Sequence, residues 1–249
     1  MTDDEPHEFS AGEGFEETDY DAFTLDPDMA LDPDEVGLDS RVLTDILDQR
    51  QTPGENVDAE ELLDVGLSYV GIQRFEEATE TLERAARFAE DDLLAQEAWV
   101  NTGVAHAELE EYDEAIGAYR EALRIDEDSE HAASAETNLA YALWEFGHTE
   151  EALEHAERAV ELDPRFAQAW YNRGFFLAER GLYEEAVDAL DNAVRLGMRS
   201  AEVHEERSRA LDELGEREAA EEAQTRADEL REERERSLVD EGGERDPPR

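Results

Sequence analysis

A small side chain returns along this chain at a spacing that a single globular core does not call for. Gly66, Gly103, Ala140, Gly174 and Ser208 are separated by 37, 37, 34 and 34 residues. Twelve residues after each stands an alanine (Ala78, Ala115, Ala152, Ala186, Ala220), and seven beyond that stands another (Ala85, Ala122, Ala159, Ala193, Ala227). Three positions held in phase over five units mark an internal repeat. The stretches between them are rich in Ala, Leu, Glu and Arg, all good helix formers, and are parted by short breaks such as Phe146-Gly147-His148, Arg180-Gly181 and Leu214-Gly215. Each unit therefore reads as a helical hairpin.

Short side chains let two antiparallel helices approach closely, so Gly66 and Gly103 on the first helices are expected to face Ala78 and Ala115 on the second. Trp99 and Trp170 near the starts of first helices, Phe75, Tyr112 and Tyr183 at the starts of second helices, and Leu82, Tyr119 and Leu190 within them would fill the remaining holes. One hairpin buries too little apolar surface to stand alone, so neighbours must stack into a superhelix held by nearest-neighbour interfaces.

These residues resemble the tetratricopeptide repeat, a helix-turn-helix unit carrying an aromatic, a Leu-Gly pair, a second aromatic, an alanine and a closing proline. The best match begins at Ala167, with Trp170-Tyr171-Asn172-Arg173-Gly174 followed by Gly181-Leu182-Tyr183-Glu184-Glu185-Ala186, and the preceding unit supplies Leu162-Asp163-Pro164. The likeness runs from Ala59 to roughly Leu230. It implies an all-α, right-handed superhelical stack of antiparallel hairpins. Glu136 and His204 depart from it, standing where a first-helix aromatic is expected. The two early units carry three extra residues each, which should lengthen a helix or a loop near Asp91 to Leu94 and Asp128 to His131. Arg207, Arg217 and Gln224 at normally apolar positions make the fifth unit read as a polar terminal cap.

On this reading the hairpins occupy residues 59–92, 96–129, 133–166, 167–200 and 201–235, with a flexible tail over 236–249. Residues 1–40 contain no Lys or Arg and two Leu-Asp-Pro-Asp units, so a disordered acidic tail is expected there. Residues 41–52 place Val42, Leu43, Ile46 and Leu47 on one helical face behind Ser40, and Pro53-Gly54 stops them, which gives one short amphipathic helix. Acidic residues outnumber basic ones 71 to 22, for a formal charge of -49, and every basic side chain is arginine. Self-repulsion of that size is tolerated where salt screens it, so the composition points to an extreme halophile and describes the solvent more than the partner.

The resemblance also implies where a ligand goes: into the concave groove lined by the first helices, as an extended peptide or a partner helix. Asn101, Asn138 and Asn172 recur there, with Val104, Tyr141 and Phe175 three residues on and Glu108, Glu145 and Glu179 seven on, offsets that share one helical face. An amide both donates and accepts, so a ladder of them could pair with any peptide backbone. Tyr141, Trp144, Tyr171 and Phe175 would then take an apolar anchor. The same asparagines could instead pack or cap between hairpins, and the aromatics could be core. The basic positions of family members that grip a chaperone's terminal carboxylate read Glu97, Ser134 and Gln168, so that clamp is not expected.

The function expected is therefore a scaffold or adaptor for another protein. The alternatives are a self-associating repeat protein, and a regulator whose acidic tail competes for the groove. No enzyme, cofactor, metal, nucleic-acid or membrane role is expected. The six histidines are scattered, no phosphate loop or nucleophile motif occurs, and there is no basic block, cysteine or long apolar run. His131, His148 and His155 are placed on loops or outer faces. A cytoplasmic location follows from the absence of a basic, apolar leader.

Overall fold

The computed structural model describes residues 58–243, and the acidic segment 1–40 and the helix expected over 41–52 lie outside them. Ten helices follow one another among the described residues, with no strand. They are α1 (Ala59–Gly71), α2 (Phe75–Phe88), α3 (Asp92–Glu108), α4 (Tyr112–Ile125), α5 (Ala132–Glu145), α6 (Thr149–Leu162), α7 (Ala167–Glu179), α8 (Tyr183–Arg195), α9 (Ala201–Glu213) and α10 (Arg217–Gly243). Each odd helix packs on the even helix that follows it, and each even helix on the next odd one. Odd helices also touch the odd helices of neighbouring hairpins, so they form one continuous layer.

Local chemistry repeats along with the fold. Every second helix opens with acids in its first turn, for example Glu76 and Glu77, Glu150 and Glu151, and Glu184 and Glu185. Carboxylates there face the free N–H groups and the positive end of the helix dipole. Every first helix ends in the same capping turn: the amides of Arg74, Glu111, His148, Leu182 and Glu216 donate to the carbonyls of Tyr69, His106, Leu143, Leu177 and Leu211, five residues back. The turn needs one left-handed residue. Gly147, Gly181 and Gly215 supply it in the later hairpins, whereas Gln73 (φ 60) and Glu110 (φ 61) are forced into it in the first two.

The small residues of the first helices meet a different partner from the one expected. A Cβ placed on Gly66, Gly103 or Gly174 would collide first with the side chains of Leu82, Tyr119 and Leu190, sixteen residues on, and at Gly174 it would also crowd the carbonyl of Ala186, twelve on, at 3.2 Å. The glycines are therefore sockets for large side chains, each of them almost fully buried. In the third hairpin the socket is Ala140, and the residue at the same register is Ala156, so one methyl is gained as a large side chain is lost. In the fifth, Ser208 Oγ donates to the Ala220 carbonyl at 2.8 Å.

The two three-residue insertions have different fates. Asp91 accepts from the amides of Leu93 and Leu94 and starts α3 early, making it 17 residues long. Asp126 instead accepts from Asp128 and opens the turn that leads to α5. Two further placements differ from the sequence reading, and a third adds to it. The helix at the C-terminal end continues past residue 235 to Gly243, because Glu and Arg run on without a breaker and Arg236 pairs with Glu232 at 2.7 Å. Glu136 is buried in an aromatic's place and is satisfied by His155 Nδ1 at 2.5 Å, so His155 belongs to the hairpin interior and not to an outer face. Trp170 donates to the Pro164 carbonyl at 2.9 Å, which ties the closing Leu-Asp-Pro to the next hairpin.

Candidate peptide-binding groove

The layer of odd helices carries a cleft of about 460 Å³ that spans three hairpins. Its walls are Val104, Ala107 and Glu108 from α3, Asn138 and Tyr141 from α5, and Gln168 and Asn172 from α7. Tyr112 and Tyr119 of α4, with Glu110 of the turn before it, close one end. Helical spacing makes Asn138, Tyr141 and Asn172 neighbours on this face, and Tyr112, expected in the hairpin filling, packs against the core and reaches the cleft as well. The turn at Glu110 is what delivers it here, and a 34-residue period carries no signal of that.

The three asparagines do three different things. Asn101 Nδ2 donates to the Glu97 carbonyl of its own helix at 2.8 Å, and Asn101 is not among the cleft's lining residues. Asn172 is only 5% exposed, accepts from Gln168 Nε2 at 3.0 Å and donates across the hairpin boundary to the Thr137 carbonyl at 3.2 Å. It joins the third and fourth hairpins. Asn138 is half-buried in the cleft wall and its side chain makes no hydrogen bond among the described residues, so its amide is open to a ligand.

The aromatics separate in the same way. Tyr141 is 46% exposed in the cleft. Burial, then the hydrogen bond to Glu145 and the charge of Glu145, with Tyr112 and Glu108 behind, push its phenol up to about 12. Tyr112 is raised as well, by burial and then by Glu145, Glu110 and Glu108. Trp144 and Phe175 meet edge to face at 4.9 Å, and Tyr171 stacks on Phe175 at 6.5 Å. These three form a partly buried platform beside the cleft, roofed by the Arg209 guanidinium 5.9 Å from the Phe175 ring. Glu179 and Glu206 hold that arginine, each at 2.5 Å. Burial, followed by the charges of Glu206, Glu202 and Glu205, pushes Tyr171 up to about 12.

Among the described residues no group of His, Asp and Glu could hold a metal ion, and no helix is long and apolar enough to cross a membrane. The surface offers hydrogen bonding, ring faces and negative charge for binding.

Two tetratricopeptide repeat models match the chain, one over residues 93–165 and the other over 137–201. No curated protein matches it. Among solved structures it is similar to a fragment of MamA, from residue 41 on, from Desulfovibrio magneticus RS-1, at 22% identity and a TM-score of 0.59 over 70% of this chain and 96% of that one. A second MamA crystal structure gives 18% identity and 0.58, over 69% and 96%. YrrB, described as a TPR protein with an unusual peptide-binding site, gives 20% identity and 0.57, over 82% and 100%. At these identities the likeness is one of fold alone. Residues 93–201 match tetratricopeptide repeat models, and the architecture is that of a tetratricopeptide-repeat solenoid.

Proposed function

We propose that this chain is a scaffold that seats an extended segment of a partner protein along the odd-helix face of its second, third and fourth hairpins. The observation that carries this is Asn138, an unbonded amide in the wall of a three-hairpin cleft, beside the half-exposed Tyr141. The amide can pair with a peptide backbone of any sequence, and the platform of Trp144, Tyr171 and Phe175 can take an apolar side chain. Asn172 serves the site indirectly, by fixing the register of α7 against α5. Asn101 falls outside it. YrrB, a protein of similar fold described as having a peptide-binding site, supports the kind of ligand and not its place.

The acidic segment 1–40 is a poor occupant of its own groove, since it brings no cation to a cleft edged by Glu108 and Glu110. The -49 charge fits a salt-rich cytoplasm as the working environment. Affinity capture from extract at high salt tests the reading with the wild-type chain and an Asn138→Ala, Tyr141→Ala variant. Partners lost by the variant are expected, and identical partner sets for two equally helical proteins would overturn it.

A further inference from the structure

The cleft is negative as well as walled by tyrosines. With 71 acidic residues to 22 basic ones, only some carboxylates elsewhere meet an arginine, as Glu121 meets Arg124, Glu151 Arg120, Asp128 Arg158, Glu157 Arg173 and Glu179 Arg209. No ion pair among the described residues reaches Glu108, Glu110 or Glu145. Glu108 and Glu110 line the cleft together with Tyr112 and Tyr141, and Glu145 stands one helical turn after Tyr141 on α5, near enough for its charge to act on both phenols. Tyr141 is exposed enough to present a ring, and the unbonded Asn138 lies one helical turn before it.

We propose that this cleft receives the guanidinium of an arginine projecting from the partner's extended segment. Glu108 and Glu145 act as counter-charges, Tyr112 and Tyr141 provide ring faces, and Asn138 holds the adjoining backbone. The assignment rests on the groove reading above and names the side chain that the groove selects. An apolar residue in this place would strip water from carboxylates and give them nothing in return, and an acidic one would be repelled. A guanidinium answers both needs, since its plane stacks on a phenol ring and its fork meets a carboxylate with two parallel bonds. A lysine ammonium satisfies the charge without the plane. The volume of about 460 Å³ admits such a side chain together with the backbone that flanks it. Because the pair is partly enclosed, salt screens it less than it screens the exposed ion pairs of the outer surface.

The test uses the full chain at constant high salt. A random peptide display library is selected against the wild type and against Glu108→Gln, Glu145→Gln, an isosteric change whose helicity is checked by circular dichroism. The best wild-type binder is then synthesised with arginine, lysine or citrulline at the enriched position, and its binding is followed by fluorescence anisotropy. Arginine should be fixed at one position in the wild-type selection and not in the variant selection. Citrulline should weaken wild-type binding about tenfold or more, with lysine between the two. The variant should bind all three peptides at the citrulline level. Peptides that need Asn138 and Tyr141 but show no preference for arginine over citrulline overturn the arginine assignment and leave the groove standing. Selected peptides that bind equally well to Asn138→Ala, Tyr141→Ala remove the groove and the assignment together.

Discussion

Replacing Gly103 by alanine should destabilise the array, although helix propensity alone says the opposite. In the interior of a helix alanine is favoured over glycine by about 1 kcal/mol. Here the added Cβ would stand 2.7 Å from Cδ1 and Cζ of Tyr119, and closer still to Cε1. Tyr119 is 1% exposed and packed on nearly every side, so its ring can yield only by displacing neighbours or edging toward the cleft that it lines. Overpacking of this kind costs about 1–3 kcal/mol, which leaves a net loss of about 1 kcal/mol once propensity is subtracted. Gly117, on the outer face of α4 in the same hairpin, is the control. A Cβ there meets nothing within 4 Å, so Gly117→Ala should stabilise by about 0.5–1 kcal/mol. Urea unfolding followed by circular dichroism at fixed high salt should move the two midpoints in opposite directions. A cycle with Tyr119→Ala adds a second readout. That single change should cost about 3–5 kcal/mol, and the double variant less than the sum, because alanine then faces alanine as Ala140 and Ala156 do at the same register of the third hairpin. If Gly103→Ala stabilises as much as Gly117→Ala, the socket account of these glycines is wrong.

Asn172→Ala removes a buried bond across a hairpin boundary and should cost about 1–3 kcal/mol in a thermal melt, whereas Asn138→Ala should stay within about 0.5 kcal/mol of wild type. Glu110→Gly relieves a left-handed backbone and should leave stability unchanged or raise it by up to about 1 kcal/mol, so a fall would refute strain at that turn. Tyr141 and Tyr171 are raised from 10.0 to about 12, so the unfolded chain ionises first as pH rises. Their contribution should be full below about pH 10 and gone by about pH 12, and phenolate absorbance of the folded chain should lag that of the unfolded one. His204 is lowered, by burial and then by Arg207 and Arg226, so its contribution should fade as pH drops below the ordinary histidine range. With a charge of -49, helicity should fall as salt is withdrawn, and full circular dichroism in dilute buffer would contradict that electrostatic account.

Hairpin number, order and phase were legible in the sequence because a repeat multiplies each weak local signal by five. What lay between the phased positions was less legible. The first helices are flanked on both sides, by their own partner and by the preceding hairpin. In α5, nine of 14 residues are buried, which blurs the amphipathic pattern that marks α6 and α8. The tightest contact of Gly66, Gly103 and Gly174 lies one turn beyond the alanines, since a shared period fixes which positions recur and not which of them touch most closely. Each insertion begins after an aspartate, and the outcome hinged on what followed: Asp92-Leu93-Leu94 continues as helix, while Glu127-Asp128-Ser129 turns.

The groove shows where such reading stops. Asn101, Asn138 and Asn172 occupy one register of three successive first helices, and their recurrence suggests one shared role. Their roles are set by neighbours that do not recur. Four residues before Asn172 stands Gln168, whose amide occupies the asparagine's oxygen and leaves the nitrogen to reach the Thr137 carbonyl. Four before Asn101 stands Glu97, and the asparagine folds back onto that residue's carbonyl. Four before Asn138 stands Ser134, which makes no hydrogen bond to it, so this amide alone of the three is left unspent. Changing Gln168 to Ser should therefore act on Asn172 by freeing its oxygen toward the cleft. Peptide binding should tighten if the amide ladder contacts a backbone, and an affinity unchanged by Gln168→Ser would confine backbone recognition to Asn138.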